Sequence, residues 1–442
     1  MGILAKLTQS FKSKRNSVVA AKPAHAAPAA PVTVVLRKRS PHTVTGKVAA
    51  AVEGTVAAVS EKEAYALASA YVSRVRVKYH RHFDAFEANV GKKNGFDNRT
   101  VETTEAAAAV AGSGNEPLTD QQNELLWTGE VQVGTPAQTI VLDFDTGSSD
   151  TWVNPNIYKP SASSTAKKTG KTFRVAYGDG SNASGDIYKE SVTVGGLTAL
   201  NQAFGNATKS TLQDSGNQGI AGLAFESIAQ FKSPPFFDTL VAQGTVPSPV
   251  FSFGLWPEGA RLDLGQIVAE AYQGDIVYSP VDPSDGFWTT SFNVTGVDAT
   301  QTGIIDTGTT LIIGPPDVVT AIYQSLGVQT QTQQGEVYGV YPTNSPPSIS
   351  LTFNGVPFTI SPDALSFQSQ GTQTIAGLIG ADIGAGPAWI VGDVFLQDVY
   401  AVFDKSPNAP QVGFAPKATS SVPSTSGAGA TQTTDGATAT TA

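Results

Sequence analysis

From about Asn123 to Pro416 the chain is written in short runs of Val, Ile, Thr and Phe, each cut off by Gly, Pro, Asn or Asp. Residues 129–133, 139–144, 191–194 and 349–353 are examples, and the texture predicts a β-rich region with many hairpins. Helices should be few and short there. The best is 316–326, where the Pro-Pro start and Asp317 favour initiation. Upstream the period changes: Ala64, Leu67, Ala68, Tyr71, Val72 and Val75 recur at helical spacing, so 61–90 reads as helix. The basic residues Arg74, Arg76, Lys78 and Arg81 lie in that stretch. Residues 1–60 are rich in Ala, Val, Pro and Lys with little periodicity, and 106–114 is an Ala/Gly/Ser stretch suited to an exposed, cleavable linker. Residues 418–442 are Ser, Thr, Ala and Gly, the composition of a flexible tail open to O-glycosylation.

At 442 residues, and with about 150 residues per domain, two or three compact units are expected. The formal charge of -9 hides a division: residues 1–115 carry 17 Lys or Arg against 8 Asp or Glu, and the remainder 11 against 29. A basic head and an acidic body should attract at neutral pH and separate as carboxylates protonate; the bland alternative is a basic arm with no regulatory role. The acidic body argues against nucleic acid. No run approaches the roughly 20 apolar residues that span a bilayer, so no membrane partner is expected. Met1-Gly2-Ile3-Leu4-Ala5-Lys6 is not a clear secretion signal, and Lys6 stands where myristoylation wants Ser or Thr.

Cysteine is absent, which rules out disulfides and thiolate metal sites. All four histidines, His25, His42, His80 and His82, lie in the head. The body therefore cannot house Ser-His-Asp, Cys-His or histidine-ligated metal chemistry, and its own pH response must come from carboxylates.

One tripeptide stands out against this background. Asp-Thr-Gly occurs at Asp145-Thr146-Gly147 and at Asp306-Thr307-Gly308, entered each time from an apolar strand and followed by hydroxyl residues: Phe144 to Ser149 beside Ile305 to Thr310. One copy should arise by chance about 0.1 times in such a chain, so two with matching surroundings point to a duplication. Each half also repeats a second element. Gly219-Ile220-Ala221-Gly222 ends 77 positions beyond Asp145, and Trp389-Ile390-Val391-Gly392 ends 86 beyond Asp306. A glycine that lets a backbone pass close behind the turn would explain it, although either copy alone could be an ordinary Gly-ended core strand. Two carboxyl groups forced together cannot both ionise, so one serves as acid and the other as base. That is chemistry for splitting an amide with water. Asp143 shares a strand face with Asp145, which makes it either a neighbour of the pair or a solvated strand end. Asp393, before Val394-Phe395-Leu396, reads as a helix N-cap.

These residues, with Val133-Gly134-Thr135-Pro136, Ser149-Asp150-Thr151-Trp152-Val153, Tyr177-Gly178-Asp179-Gly180-Ser181, Gly222-Leu223-Ala224-Phe225 and Val391-Gly392-Asp393-Val394-Phe395, resemble the pepsin family of aspartic endopeptidases over about 125–416. Tyr177 to Gly180, Phe236-Phe237-Asp238 and Gly413-Phe414-Ala415-Pro416 look closest to the fungal penicillopepsin and endothiapepsin group. The resemblance implies a mostly β, bilobal fold: two β-rich lobes related by a pseudo-twofold axis, 116–290 and 291–417, with a central cleft for an extended peptide. It implies a basic propeptide over 61–115 and a leader within 1–60. Asp145 and Asp306 would be catalytic, with no cofactor and no metal. Gly147 and Gly308 complete the two turns, Ser148 and Thr309 match the hydroxyls that bond the outer carboxylate oxygens, and Thr146 and Thr307 match the pair that locks the turns together. Tyr177, Gly178 and Asp179 match a flap that closes over substrate, Trp152 the indole that orients its tyrosine, and Thr310 a substrate contact. Asp179 further implies acceptance of Lys beside the scissile bond besides bulky apolar residues. Lys78-Tyr79 resembles the lock at which a propeptide lysine sits between the two aspartates, making the chain a self-inhibited monomeric precursor acting on proteins and peptides. Fungal relatives carry one disulfide in the second lobe; here that lobe must rely on packing. Sequons at Asn182, Asn206 and Asn293 fit an extracellular destination, with the vacuole as alternative.

Two other readings use the same residues. Leu142-Asp143-Phe144-Asp145-Thr146-Gly147 also resembles the nucleophile motif of haloacid-dehalogenase-type phosphatases, which needs alternating strands and helices with magnesium. A pepsin-like fold that binds peptides without cutting them is the third.

Overall fold

The computed structural model describes residues 61–90, 111–121, 126–176, 182–210, 217–384, 389–407 and 409–418. The expected leader (1–60), the flap residues Tyr177, Gly178 and Asp179, and the tail from 419 on lie outside the described residues.

The alternating texture becomes strand in each place where the pattern asks for it: Leu126–Val133, Gln138–Asp145, Asn182–Val194 and Ser350–Phe353. Along Asn182–Val194 every second residue is buried, and the alternation slips by one where pairing with Leu197–Ser210 is bulged near Glu190. The expected short helix is Pro316–Ser325. Strands gather into three sheets of eight, ten and six.

The eight-stranded sheet belongs to the first half and the ten-stranded sheet to the second, and the two share one central arrangement. In the first, Gln138–Asp145 runs parallel to Gly219–Gly222, which runs antiparallel to Thr151–Val153, itself parallel to Leu197–Ser210. In the second, Val297–Ile305 runs parallel to Trp389–Val391, which runs antiparallel to Ile312–Gly314, itself parallel to Gln373–Gly380. The duplicated tripeptide therefore sits in a duplicated topology, at the C-terminal end of equivalent strands. The second repeated element lies directly behind each turn. A Cβ on Gly222 would lie 2.5 Å from the Ser149 carbonyl carbon, and one on Gly392 only 1.9 Å from the Thr309 carbonyl oxygen. These glycines are there for close backbone approach.

The six-stranded sheet joins the halves. Gly114–Pro117, Val250–Gly254, Arg261–Leu264 and Val277–Pro280 come from the first; Val399–Asp404 and Gln411–Pro416 come from the second. Its apolar face packs Phe251 flat on Phe403 at 5.1 Å, with Trp288 edge-on to Phe403 at 5.1 Å. With no cysteine in the chain, the second lobe is held by aromatic packing in which Phe353 lies 4.5 Å from Phe414, 5.5 Å from Phe395 and 5.6 Å from Phe292.

The basic segment is one helix, Glu61–Val90. It buries Ala64, Tyr65, Ala68, Val72, Val75 and Tyr79 against Leu311, Ile313, Tyr338, Ile375 and Ile379 of the second lobe, an apolar stripe at helical spacing. Leu67, expected in that stripe, is half-buried; Tyr65 takes the position, its ring 4.9 Å from Tyr338.

Gly392→Ala should be poorly tolerated. A methyl 1.9 Å from the Thr309 oxygen forces the second turn to move, so thermal melting of the protein should fall by at least about 3 °C; unchanged melting would contradict the close packing.

Candidate active site

The two turns meet through their threonines. The Thr146 amide donates to Thr307 Oγ1 at 3.0 Å and the Thr307 amide donates to Thr146 Oγ1 at 3.0 Å. Each hydroxyl then reaches past the other turn: Thr146 Oγ1 donates to the Ile305 carbonyl at 3.0 Å and Thr307 Oγ1 to the Phe144 carbonyl at 2.6 Å. All of these groups are buried, so the threonine amides and the Phe144 and Ile305 carbonyls at the sharp turns find partners across the axis.

The brace brings Asp145 and Asp306 face to face. Each carboxylate accepts from the glycine amide two residues on and from the hydroxyl three residues on. For Asp145 these are Gly147 N at 2.8 Å and Ser148 Oγ at 2.6 Å; for Asp306, Gly308 N at 3.0 Å and Thr309 Oγ1 at 2.5 Å. A side chain at either glycine would collide with the opposite carboxylate: a Cβ on Gly147 would lie 2.5 Å from Asp306 Oδ1, and one on Gly308 2.3 Å from Asp145 Oδ1.

Lys78 fills the space between them. Its Nζ donates to Asp145 Oδ1 at 2.7 Å and to both oxygens of Asp306 at 2.9 Å, while the Tyr79 hydroxyl donates to Asp306 Oδ2 at 2.8 Å. Burial works against a charged lysine, but the two carboxylates hold Lys78 protonated well above its ordinary value. Burial also pushes Asp145 up, opposed by the Lys78 ammonium. Asp306 is equally buried, yet Lys78, the Thr309 hydroxyl and a hydrogen bond with Asp145 hold it down to about 2. The pair is thus unequal, one carboxyl favouring its proton and the other its charge. Tyr79 is kept protonated by burial and by the Asp306 charge.

The remaining expected residues surround this centre. Trp152 and Thr310 are buried and line a cavity beside Lys78 together with Tyr71, Asp143 and Asn217. Trp152 packs 6.1 Å from Phe173. Asp143 is buried rather than a solvated strand end. Asp393 is not the N-cap expected from its position: Gly392 caps the short helix Asp393–Leu396, because that glycine is pinned behind the turn, and Asp393 is the first helical residue. Burial, then the charges of Asp143 and Asp306, raise its carboxyl well above the ordinary range.

Sequence reasoning overlooked several groups that fasten the helix. Arg76 Nη1 pairs with Glu336 Oε1 at 2.8 Å and Arg76 Nε donates to the Asp382 carbonyl at 2.6 Å, both on the second lobe. Asn89 Nδ2 donates to the carbonyls of Ser227 at 3.1 Å and Ala229 at 2.9 Å, on the first. His82 is buried beside Phe287, 6.0 Å between ring centres. The only available signal was the polar and basic residues of an otherwise amphipathic helix, which does not name their partners. Among the described residues no cluster of His, Cys, Asp or Glu has metal-binding geometry.

Comparison with known proteins places the chain. A family model described as eukaryotic aspartyl protease matches residues 126–417. Secreted aspartyl protease 1 of Malassezia globosa is 40% identical over 311 residues, covering 69% of this chain and 77% of that protein. An aspartic protease of Phaffia rhodozyma is 38% identical over 328 residues, 69% of this chain and 79% of its own length. Aspergillopepsin-1 of Aspergillus oryzae is 36% identical over 355 residues, 75% and 88% respectively. With a doubled fold, two facing aspartates and relatives that align over most of their length, the chain belongs to the eukaryotic aspartyl proteases and is an aspartic-type endopeptidase.

Proposed function

We propose that Asp145 and Asp306 are the catalytic pair and that the helix Glu61–Val90 holds the enzyme as an inactive precursor until acid releases it. The observation that carries this reading is the Lys78 ammonium, within 2.9 Å of both carboxylates. Its nitrogen occupies the position from which a water molecule would be shared by the same oxygens. In the freed enzyme the ionised carboxylate takes a proton from that water as its oxygen attacks the peptide carbonyl carbon, and the protonated carboxyl gives its proton to the carbonyl oxygen. The resulting gem-diol collapses as the C–N bond breaks and the leaving amine is protonated. The Ser148 and Thr309 hydroxyls on the outer oxygens and the glycine amides on the inner ones keep both carboxylates oriented throughout.

The chain from Gly112 onward should stay with the body. The Gly112 amide donates to the Thr245 carbonyl at 3.0 Å and Gly114–Pro117 is a strand of the six-stranded sheet. Tyr177 and Gly178 are proposed to close over the substrate and Asp179 to accept Lys beside the scissile bond; bulky apolar residues fit the apolar wall that the helix covers. Monomeric action is part of the same reading, and so is an extracellular site, the latter supported by the relative named a secreted aspartyl protease.

Acidification weakens the docked helix through Asp306 and His82, both shifted down, and is opposed by Asp145, which burial shifts up. Asp306 is depressed to about 2 while docked, so its contribution is complete above the ordinary carboxylate value near 4 and is lost as pH falls from there toward 2. His82 is also depressed, by burial first and then by Arg81 and Lys78, with Asp306 opposing. It docks neutral, and its contribution begins to fall once pH drops below about 6.5.

Asp145→Asn and Asp306→Asn, activated separately by added protease, should each lose at least about a hundredfold in kcat/KM on a denatured protein; full activity in either would sink the mechanism. Activation of the full chain followed against pH should shift upward by roughly one unit in Lys78→Ala and downward by roughly half a unit in His82→Gln, and unmoved midpoints would remove the lock. Asp179→Thr should lower cleavage after Lys by about tenfold, relative to cleavage after Phe. An intact Lys preference would end that assignment.

A further inference from the structure

Glu336 sits at the tip of a hairpin, where Gln329–Gln333 turns through Gln334 and Gly335 into Glu336–Pro342. A carboxylate at a hairpin tip normally faces water, yet this one is 0% exposed. The cause is the docked helix. Side chains two apart on a strand share a face, so Glu336, Tyr338 and Val340 point one way, and they meet the helix: Tyr65 lies edge-on to Tyr338 and Arg76 pairs with Glu336. Val337 and Gly339 point the other way, where Gly339 packs so tightly against Tyr323 that a Cβ would lie 2.2 Å from its ring. The hairpin is therefore anchored from behind by Tyr323 and covered in front by the helix Glu61–Val90.

Arg76 is held in a manner particular to a guanidinium. Nη1 reaches Glu336 Oε1 at 2.8 Å while Nε reaches the Asp382 carbonyl oxygen at 2.6 Å, so two acceptors on different segments receive two donors of one planar fork. The second carboxylate oxygen, Oε2, accepts from the Tyr338 hydroxyl, which fixes the carboxylate plane. A lysine ammonium lacks the planar fork that matches these two directions.

We propose that Glu336, together with the Asp382 carbonyl, forms a subsite of the freed enzyme that selects an arginine side chain of the peptide substrate, with Arg76 holding that place in the precursor. The inference rests on the reading that the helix occupies the substrate cleft. When the helix leaves, Glu336 becomes a lone carboxylate at the end of an apolar wall formed by Tyr338, Val340, Ile375 and Ile379. Among the described residues of that wall it is the one acid, and a substrate guanidinium would restore the ion pair and both hydrogen bonds. This site is separate from Asp179: it recognises a side chain away from the scissile bond, through the second lobe and not the flap.

The test uses the activated enzyme and quenched fluorescent peptides with a fixed Phe-Phe cleavage site. Arg, Lys, Gln or Glu is placed in turn at each of the four positions before the bond and three after it. One position should favour Arg over Gln by about tenfold in kcat/KM, the scale of a charged hydrogen bond, with Lys between them and Glu lowest. In Glu336→Gln the Arg/Gln ratio at that position should collapse toward one. A wild-type scan with no Arg preference at any position overturns the proposal whether or not the variant folds, and so does a preference that survives in Glu336→Gln. Failure of the underlying reading looks different: the uncleaved precursor would hydrolyse the neutral peptide as fast as the activated enzyme, whatever the Arg ratios.

Discussion

The reciprocal bonds between Thr146 and Thr307 are the constraint on which the rest depends. Each lobe can carry an aspartate on a turn by itself, but two buried carboxyl groups repel and would drift apart or flood with water. Two amide-to-hydroxyl bonds at 3.0 Å, each backed by a hydroxyl-to-carbonyl bond, fix the turns relative to one another without using either carboxylate. Everything else then falls into place by symmetry. The glycines are bare because a Cβ would strike the opposing acid, the next hydroxyls hold the outer oxygens, and the inner oxygens are left to converge on one point. Whatever occupies that point must be small, polar and able to donate. Water and an ammonium group both qualify.

The ammonium form is stable because charge and burial are balanced across the two partners. A lysine taken out of water is costly, and so is a carboxylate, but removing either alone would be worse. The helix adds fastenings at both ends of the contact, Arg76 on the second lobe and Asn89 on the first, so it ties the lobes together as well as covering the cleft. Its apolar stripe explains why the cleft wall of the second lobe, with Ile375 and Ile379, is dry in this state.

Much of this is legible in the sequence because it is repeated or periodic. The doubled tripeptide, its hydroxyl neighbours and the glycine-ended strands are local signals, and the duplication supplies the pairing that a single copy could not. Lys78 was reachable only by a two-residue likeness. Glu336 and His82 were not: their partners lie 260 residues away or on another element, and a helix pattern reports which face is buried without saying against what. Asp393 was misread because N-cap preference is a local rule, and at Gly392 the close passage of the Thr309 carbonyl outweighs it.

The backbone over the dyad is helical from Glu61 to Val90, and this governs how the chain can be matured. A peptide bond is attacked only when its carbonyl carbon is presented in an extended strand across the carboxylates. Within a helix each carbonyl is already turned along the axis and bonded to the amide four residues on. On the proposed reading, no bond within the helix can therefore be cut where it lies: the segment would act as a plug and not as a slow substrate, and scission inside it would have to follow unwinding.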